Sequence, residues 1–222
     1  MKYTIFLVFI ILFFLIKNKD KNIFESLTGH IEALTNNIDI VLLGDSMLEN
    51  SNYVDKDKTV SSSIKKTHKK NLVLAKDESK IDDIQLQLKQ IPDKLNNKNT
   101  YVFLSIGGND LLYTYKYQKN HVNRLFYVDS LFKKYKQMVI EIKKKYKFKL
   151  VLLNIYYPES HYYSRFQKVI KKWNNKLFKF VRKNKIQMLD VTNLLYKKKH
   201  FIDGIEPSIS GSEILAKSIT SY

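Results

Sequence analysis

The residues of this 222-residue chain that could do chemistry stand in short polar turns. Ser46 offers a hydroxyl group, Asn109 a carboxamide, and Asp203 and Glu206 two carboxylates three residues apart. A hydroxyl beside a proton acceptor can act as a nucleophile, and an amide N–H can stabilise charge that develops on a substrate oxygen. Taken singly, a serine often caps a helix, and an asparagine or an Asp-Gly pair often forms a turn. Their chemistry therefore depends on a fold that brings them together.

Five short aliphatic runs predict the strands that would do so. They cover residues 38–43, 71–75, 101–106, 150–155 and 186–191. Each run is largely continuous in apolar character, which is typical of strands covered on both faces. Segments with helical periodicity lie between and after them, at 81–91, 125–146, 166–182 and 210–219. The alternation predicts an α/β fold, a three-layer α/β/α sandwich around a five-stranded parallel sheet.

The turns that follow these strands are polar. Residues 44–46 follow the first run, 76–78 the second, 107–110 the third and 157–159 the fourth. Ligands of parallel sheets bind beyond the carboxyl ends of the strands, where such turns converge. The sequence therefore predicts a functional site at this edge. No G-x-G-x-x-G or GxxxxGK[ST] pattern is present, which argues against a nucleotide-binding fold on the same topology. The GxSxG nucleophile elbow is also absent.

Three of these motifs, in this order, resemble the SGNH (GDSL-type) hydrolase superfamily. The first block is Leu42, Leu43, Gly44, Asp45, Ser46 and Met47; the third is Ser105, Ile106, Gly107, Gly108, Asn109 and Asp110; the last runs from Asp203, Gly204, Ile205, Glu206 and Pro207 to Ser208, with Gly211 beyond it. The Gly-Asp-Ser triplet alone is a weak signal. The three blocks together, from residue 38 to the C terminus, are specific.

The resemblance implies a flavodoxin-like SGNH hydrolase fold and a serine hydrolase mechanism. Ser46 would be the nucleophile and form an acyl-enzyme, while its N–H and the Asn109 amide would bind the oxyanion. Asp203 would orient the general base. The implied substrates are esters, either O-acyl groups on carbohydrates or lipid esters, with no cofactor. The supporting motif residues would be Gly44, Asp45, Gly107, Gly108 and Asp110.

Two positions depart from the family pattern. Glu206 stands where the last block has its catalytic histidine, and residues 75–83 contain no glycine where the second block has one whose N–H joins the oxyanion hole. Glu78 or a neighbour takes that place. Three alternatives follow for the base: Glu206, sharing a proton with Asp203; a histidine elsewhere, His200 or His161; or no efficient catalysis.

Each departure also allows a different function. Glu206, just before Pro207, could simply cap the terminal helix. A degenerate SGNH domain that binds a glycan or a protein partner at the membrane is then the alternative to an esterase. The chain has no cysteine, and its histidines show no metal-ligand pattern, so the sequence predicts neither a thiol nucleophile nor a metal site.

The net charge of +18 invites a nucleic-acid interpretation. The composition weakens it, because Arg124, Arg165 and Arg182 are the only arginines among 39 basic residues. Base and phosphate recognition favours the forked guanidinium over the lysine ammonium. We expect weak attraction to anionic surfaces, membranes included; a basic module that binds anionic polymers is a third hypothesis.

The N-terminal residues form a segment distinct from the predicted domain. Residues 3–16 are apolar except for Thr4 and are flanked by lysines. As a helix they would span about 21 Å, less than a hydrocarbon core of ~30 Å. No small-x-small cleavage site follows, so we predict an uncleaved signal anchor at 1–21, a neck at 22–37 and the hydrolase-like domain at 38–222; a cleaved signal peptide is the alternative. The predicted protein is membrane-anchored, with its orientation and oligomeric state open.

Overall fold

A five-stranded parallel sheet forms the centre of the structure, a computed structural model that describes residues 40–67, 69–117, 121–158 and 166–222. Its strands are β1 (Ile40–Gly44), β2 (Asn71–Val73), β3 (Tyr101–Ser105), β4 (Lys149–Leu153) and β5 (Gln187–Leu189). Their order is β2-β1-β3-β4-β5, and every pair is parallel. The five predicted strands and their parallel arrangement are confirmed.

The helices cover both faces of this sheet. They are α1 (Val60–Lys65), α2 (Ile84–Leu88), α3 (Gly108–Tyr117), α4 (His121–Lys145), α5 (Gln167–Asn184) and α6 (Ile209–Thr220). Alternate residues of β1 point to opposite faces, as the period of a strand requires. Val41 and Leu43 join the core under α2, α4 and α5, whereas Ile40 and Leu42 join the core under α1 and α6.

A two-stranded antiparallel hairpin lies before the terminal helix. It pairs β6 (Phe201–Ile202) with β7 (Glu206–Pro207). The aliphatic runs did not predict it, because its strands are two residues long. The hairpin places Asp203 in its turn and Glu206 on its second strand. Ser208, not Glu206, caps α6, since the Ser208 hydroxyl accepts a hydrogen bond from the Gly211 N–H at 3.2 Å.

The anchor and the neck predicted for residues 1–37 lie outside the described residues. Within the described part of the chain, no helix is both long enough and apolar enough to cross a membrane. The described residues belong to the unit Ile38–Tyr222.

Candidate active site

The turn after β1 presents Ser46 at the carboxyl edge of the sheet. Gly44 has a φ of 124°, and a Cβ there would lie 1.6 Å from the Ser105 carbonyl oxygen on β3. The Asp45 N–H donates to that same oxygen at 3.0 Å. Only glycine fits this close approach of two backbones, so Gly44 fixes where the chain leaves the strand. Ser46 follows, 8 % exposed.

Asp45 stabilises the nucleophile turn through two hydrogen bonds of its side chain. Its carboxylate accepts hydrogen bonds from the Ser105 hydroxyl at 2.9 Å and from the Met47 N–H at 3.3 Å. Burial raises the pKa of Asp45 to about 7, although these two hydrogen bonds lower it. Asp45 thus joins the first and third motifs across the β1–β3 pair.

Glu206 faces the nucleophile turn from the hairpin. Its half-buried carboxyl group lines the same cleft as Ser46, and its Oε2 atom is buried without a hydrogen-bond partner among the described residues. Burial raises the pKa of Glu206 to about 7; the hydrogen bond from Ser46 opposes this rise, and the charge of Asp77 adds to it. A carboxyl group with this pKa exchanges protons near neutral pH.

Asp203 is not brought together with Glu206. It lies in the hairpin turn with a φ of 52°, its side chain is exposed, and it makes no hydrogen bond or ion pair with the described residues. The acidic side chain whose charge acts on Glu206 is instead Asp77, after β2. The predicted Glu206–Asp203 pair is therefore not a contact of this structure.

Two of the three predicted oxyanion donors face the cleft. The Ser46 N–H donates to no other described residue, and the Asn109 side chain lines the cleft beside it. The Asn109 Nδ2 also donates to the Ser79 carbonyl oxygen at 3.1 Å. Glu78 has a φ of 61°, and its N–H donates to the Asp77 Oδ1 at 2.8 Å. The Glu78 N–H is thus engaged by its neighbour's carboxylate.

The remaining residues of the third motif shape the backbone around Asn109. Gly107 has a φ of 109°, and a Cβ there would lie 2.7 Å from the Trp173 ring. At Gly108 a Cβ would come within 3.8 Å of the Asp45 carboxylate. Asp110 accepts a hydrogen bond from the Ile81 N–H at 3.1 Å, and burial raises its pKa. Asp110 thus ties the third motif to the loop after β2.

Two buried amides that the motifs did not indicate hold the site together. Gln87 on α2 accepts from the Gly44 N–H at 2.7 Å and donates to the Gly44 carbonyl oxygen at 2.8 Å. Asn50 donates to the Pro207 carbonyl oxygen at 3.1 Å and to the Ser212 hydroxyl at 2.6 Å, and it accepts from the Val60 N–H at 3.2 Å. Their partners are 43 to 162 residues away or lie on another element, so no local pattern indicates them.

His200 does not supply a base in the described site. His200 is buried at the start of the hairpin, where its Nδ1 accepts from the Lys197 N–H at 3.3 Å. It does not line the cleft. His161 lies outside the described residues. In the described part of the chain, no cluster of three or more acidic or histidine side chains could hold a metal ion.

The cleft above Ser46 is small and mostly apolar. It has a volume of about 100 Å³. Its polar lining includes Ser46, Asn109 and Glu206, and its apolar lining includes Met47, Leu112, Ile155, Phe166, Ile170 and Ile205.

The comparisons with known proteins agree with this geometry. The family model of the GDSL-like lipases/acylhydrolases matches residues 40–219, and the chain belongs to that family. This confirms the resemblance seen in the motifs. No curated protein is significantly similar to the chain.

Solved structures share the fold at low sequence identity. A member of the lipolytic G-D-S-L family from Veillonella parvula has a TM-score of 0.62 at 14 % identity, covering 83 % of this chain and 97 % of its own. The acetyl xylan esterase AlAXEase has a TM-score of 0.64 at 16 % identity, covering 82 % and 98 %. An acetylxylan esterase from Geobacillus stearothermophilus has 0.61 at 16 %, covering 84 % and 94 %. At these identities the likeness establishes the fold.

Proposed function

We propose that the protein is a serine esterase that acts through an acyl-Ser46 intermediate, with Glu206 as the general base. The observation that carries the proposal is that Ser46, Asn109 and Glu206 line the same cleft. The Glu206 Oε2 atom is buried without a hydrogen-bond partner among the described residues, so an oxygen of this carboxyl group is not engaged by another described side chain. The family membership supplies the reaction class, ester hydrolysis or acyl transfer.

Each step of the proposed ester hydrolysis can be assigned to a residue of the site. Glu206 takes the proton from the Ser46 hydroxyl as its oxygen attacks the ester carbonyl. The Ser46 N–H and the Asn109 amide stabilise the oxyanion, which collapses and expels the alcohol as it receives the proton from Glu206. Water then attacks the acyl-serine, with Glu206 again taking the proton. The products are an alcohol and a carboxylic acid, and Ser46 is restored.

The pKa of Glu206 makes a carboxylate workable as the base. An ordinary glutamate, with a pKa of ~4.3, is a weaker proton acceptor than a histidine at ~6.5. Burial raises the pKa of Glu206 to about 7, which brings its basicity into the range of a histidine. Activity should then rise with pH around neutrality, because only the ionised carboxylate can accept the proton.

We further propose a short acyl group as the part of the substrate that enters the cleft. The volume of about 100 Å³ supports an acetyl or similar group over a fatty chain. Two of the structural neighbours are named as acetyl xylan esterases, which favours an O-acetylated carbohydrate over a lipid ester. The apolar run at 3–16 supports the proposal that the enzyme is anchored at a membrane.

Hydrolysis of a chromogenic acetyl ester and of its octanoyl counterpart, measured between pH 4 and 9, tests the proposal. We expect the wild-type chain to cleave the acetyl ester faster, and Ser46→Ala to lower the rate by a factor of about 10³ or more. Equal rates for wild type and Ser46→Ala, at the background level, would contradict a serine esterase.

One observation favours a second candidate, a binding domain that does not turn over. The Glu78 N–H is bonded to Asp77, and the Asn109 amide is bonded to the Ser79 carbonyl, so donors expected to serve the oxyanion already have partners. Loss of one oxyanion donor typically costs a factor of ~10²–10³ in rate. Binding of an acetylated oligosaccharide to wild type and Ser46→Ala alike, without hydrolysis by either, would select this candidate.

A further inference from the structure

A dense group of lysines lies at the edge of the sheet opposite to the cleft. Every strand of a parallel sheet begins at the amino edge and ends at the carboxyl edge, where Ser46 lies. The two segments at the starts of β4 and β5, residues 142–149 and 181–187, contain eight basic residues and no acidic one. At the carboxyl edge, residues 44–49 and 76–83 contain six acidic and two basic residues. Between these segments the charge therefore changes sign along the strand direction.

Hydrogen bonds join the basic segments into one surface. The Lys143 Nζ at the end of α4 donates to the Asn184 carbonyl oxygen at the end of α5, at 3.1 Å. The Lys149 Nζ donates to the Tyr101 hydroxyl at the start of β3, at 3.2 Å, and lies 4.5 Å from the centre of that ring. We call this surface the lysine patch, and its exposed members are Lys143, Lys144, Lys145, Lys147, Lys149 and Lys185.

A groove lies within the lysine patch. It has a volume of about 310 Å³, and its lining includes Lys143, Lys149, Lys185, Tyr146, Phe148 and Ile186. The Tyr146 and Phe148 rings stack with their centres 5.0 Å apart. Lysines combine an apolar stem with a charged head, and tyrosines favour the layer where lipid meets water. The groove therefore offers both the charge and the apolar surface that suit a lipid headgroup region.

The lysine patch is not neutralised by the protein itself. None of its six ammonium groups forms an ion pair with an acidic side chain of the described residues. On the neighbouring helix surface, by contrast, Lys172 and Lys176 both pair with Asp129. Glu141, two residues before the patch on α4, accepts a hydrogen bond from Gln137 instead. The charge of the patch is thus available to an external anion.

The chain enters the domain at the same edge. Ile40, the first residue of β1, is in register with Tyr101, and Tyr101 is in register with Lys149. Neighbouring strands lie ~4.8 Å apart, so the start of β1 is about 10 Å from the Lys149 backbone. The apolar run at 3–16, proposed above as a membrane anchor, precedes this point in the sequence. A bilayer that holds this run is therefore tethered to the amino edge.

We propose that the lysine patch is a docking surface for a membrane rich in anionic lipid headgroups. An anionic bilayer attracts every lysine that lies within a Debye length of its surface, about 8–10 Å, so a dense patch is held where scattered lysines are not. Nucleic acid suits the patch less well, because its recognition favours the forked guanidinium of arginine and the patch consists of lysines. The inference goes beyond the proposed esterase activity and does not depend on it.

Docking through the lysine patch turns the cleft away from the bilayer. The five residues of β1 rise ~3.3 Å each, so the two edges of the sheet are about 17 Å apart. Ser46 then faces the aqueous side, where it meets substrates outside the lipid.

Lysine acylation of the full chain tests the docking. The chain is reconstituted into vesicles of phosphatidylcholine alone or with about 30 % phosphatidylglycerol, labelled with a membrane-impermeant amine-reactive ester and analysed by mass spectrometry. In the anionic vesicles, labelling of the lysine patch should fall at least about threefold relative to three exposed carboxyl-edge lysines, Lys56, Lys76 and Lys198. In 1 M NaCl, where the Debye length is about 3 Å, the difference should largely disappear.

Charge reversal separates the lysine patch from the anchor. The triple variant Lys144→Glu, Lys145→Glu and Lys147→Glu should restore labelling of the other three patch lysines in anionic vesicles. The matched triple change of the carboxyl-edge lysines to Glu should leave the patch protected. Equal labelling of the wild-type patch in both kinds of vesicle, or equal protection of the carboxyl-edge lysines, overturns the inference. Protection by a single-stranded oligonucleotide but not by anionic vesicles also overturns it, and assigns the patch to nucleic acid.

Discussion

Gly44 and Glu78 stand at the same edge of the sheet, and both have positive φ angles, 124° and 61°. At Gly44 a Cβ would lie 1.6 Å from the Ser105 carbonyl oxygen. Glu78 has a left-handed conformation that costs a side chain roughly 1–2 kcal/mol, and its own side chain faces solvent. The first position excludes every residue but glycine, and the second only disfavours the others.

This difference explains why the first motif, at Gly44, can be recognised in the sequence and the second, at Glu78, cannot. The nucleophile turn keeps its glycine because two backbones touch there. Glu78 adopts a left-handed conformation as a non-glycine residue, and its side chain is exposed. The absence of glycine from residues 75–83 therefore does not exclude a left-handed residue in the loop after β2.

The largest expected effect on stability comes from substituting Gly44. Gly44→Ala should lower the free energy of unfolding by about 3 kcal/mol or more, because the new methyl group displaces a paired β3 carbonyl. Glu78→Gly, the matched control, should change it by no more than about 1 kcal/mol, because strain relief and lost chain stiffness offset each other. Urea unfolding of both variants measures this, and losses of similar size would remove the distinction.

A smaller effect is expected at the amide that joins the nucleophile turn to the hairpin. Asn50 is fully buried and donates to the Pro207 carbonyl oxygen beside Glu206. Asn50→Ala should lower the free energy of unfolding by about 2 kcal/mol, because it leaves the Val60 N–H and the Pro207 carbonyl unpaired. Displacement of Glu206 from Ser46 should also lower kcat about tenfold while KM changes little.

Asn71→Ala provides the control for that prediction. The Asn71 side chain makes two hydrogen bonds, where Asn50 makes three; both join it to Ser61 at the start of β2, away from the cleft. It should lower stability and leave kcat of the folded protein unchanged. A matching fall in kcat would mean that Asn50 acts through general stability rather than through the position of Glu206.

Much of the fold could be predicted from the sequence because its signals are local. Continuous aliphatic runs indicate buried parallel strands, and glycines at close backbone approaches preserve the first and third motifs. The site was predictable only in part: Ser46, Asn109 and Glu206 line one cleft, but Asp203 is exposed and does not line it. The hairpin whose turn carries Asp203 has strands of two residues, which leave no periodic signal in the sequence.

The residues that sequence reasoning missed act across long separations. Gln87 reaches Gly44, and Asn50 reaches Pro207 from 157 residues away, through amide groups that resemble any polar residue in a helix or loop. One feature of the sequence pointed to Asp77: it lies in the polar turn directly after the second predicted strand, at the edge of the sheet where the site is expected. Spacing from motif to motif did not indicate it, because Asp77 belongs to none of them.

The central claim, that a carboxylate serves as the base, is tested most directly by Glu206→Gln. The substitution keeps the size and hydrogen-bonding capacity of the side chain and removes its ability to accept a proton near neutral pH. We predict that hydrolysis of the acetyl ester by wild type rises through about pH 7, where burial places the pKa of Glu206, and that Glu206→Gln loses a factor of about 10² or more together with this limb. A Glu206→Gln variant that keeps both its rate and its rising limb would contradict the account.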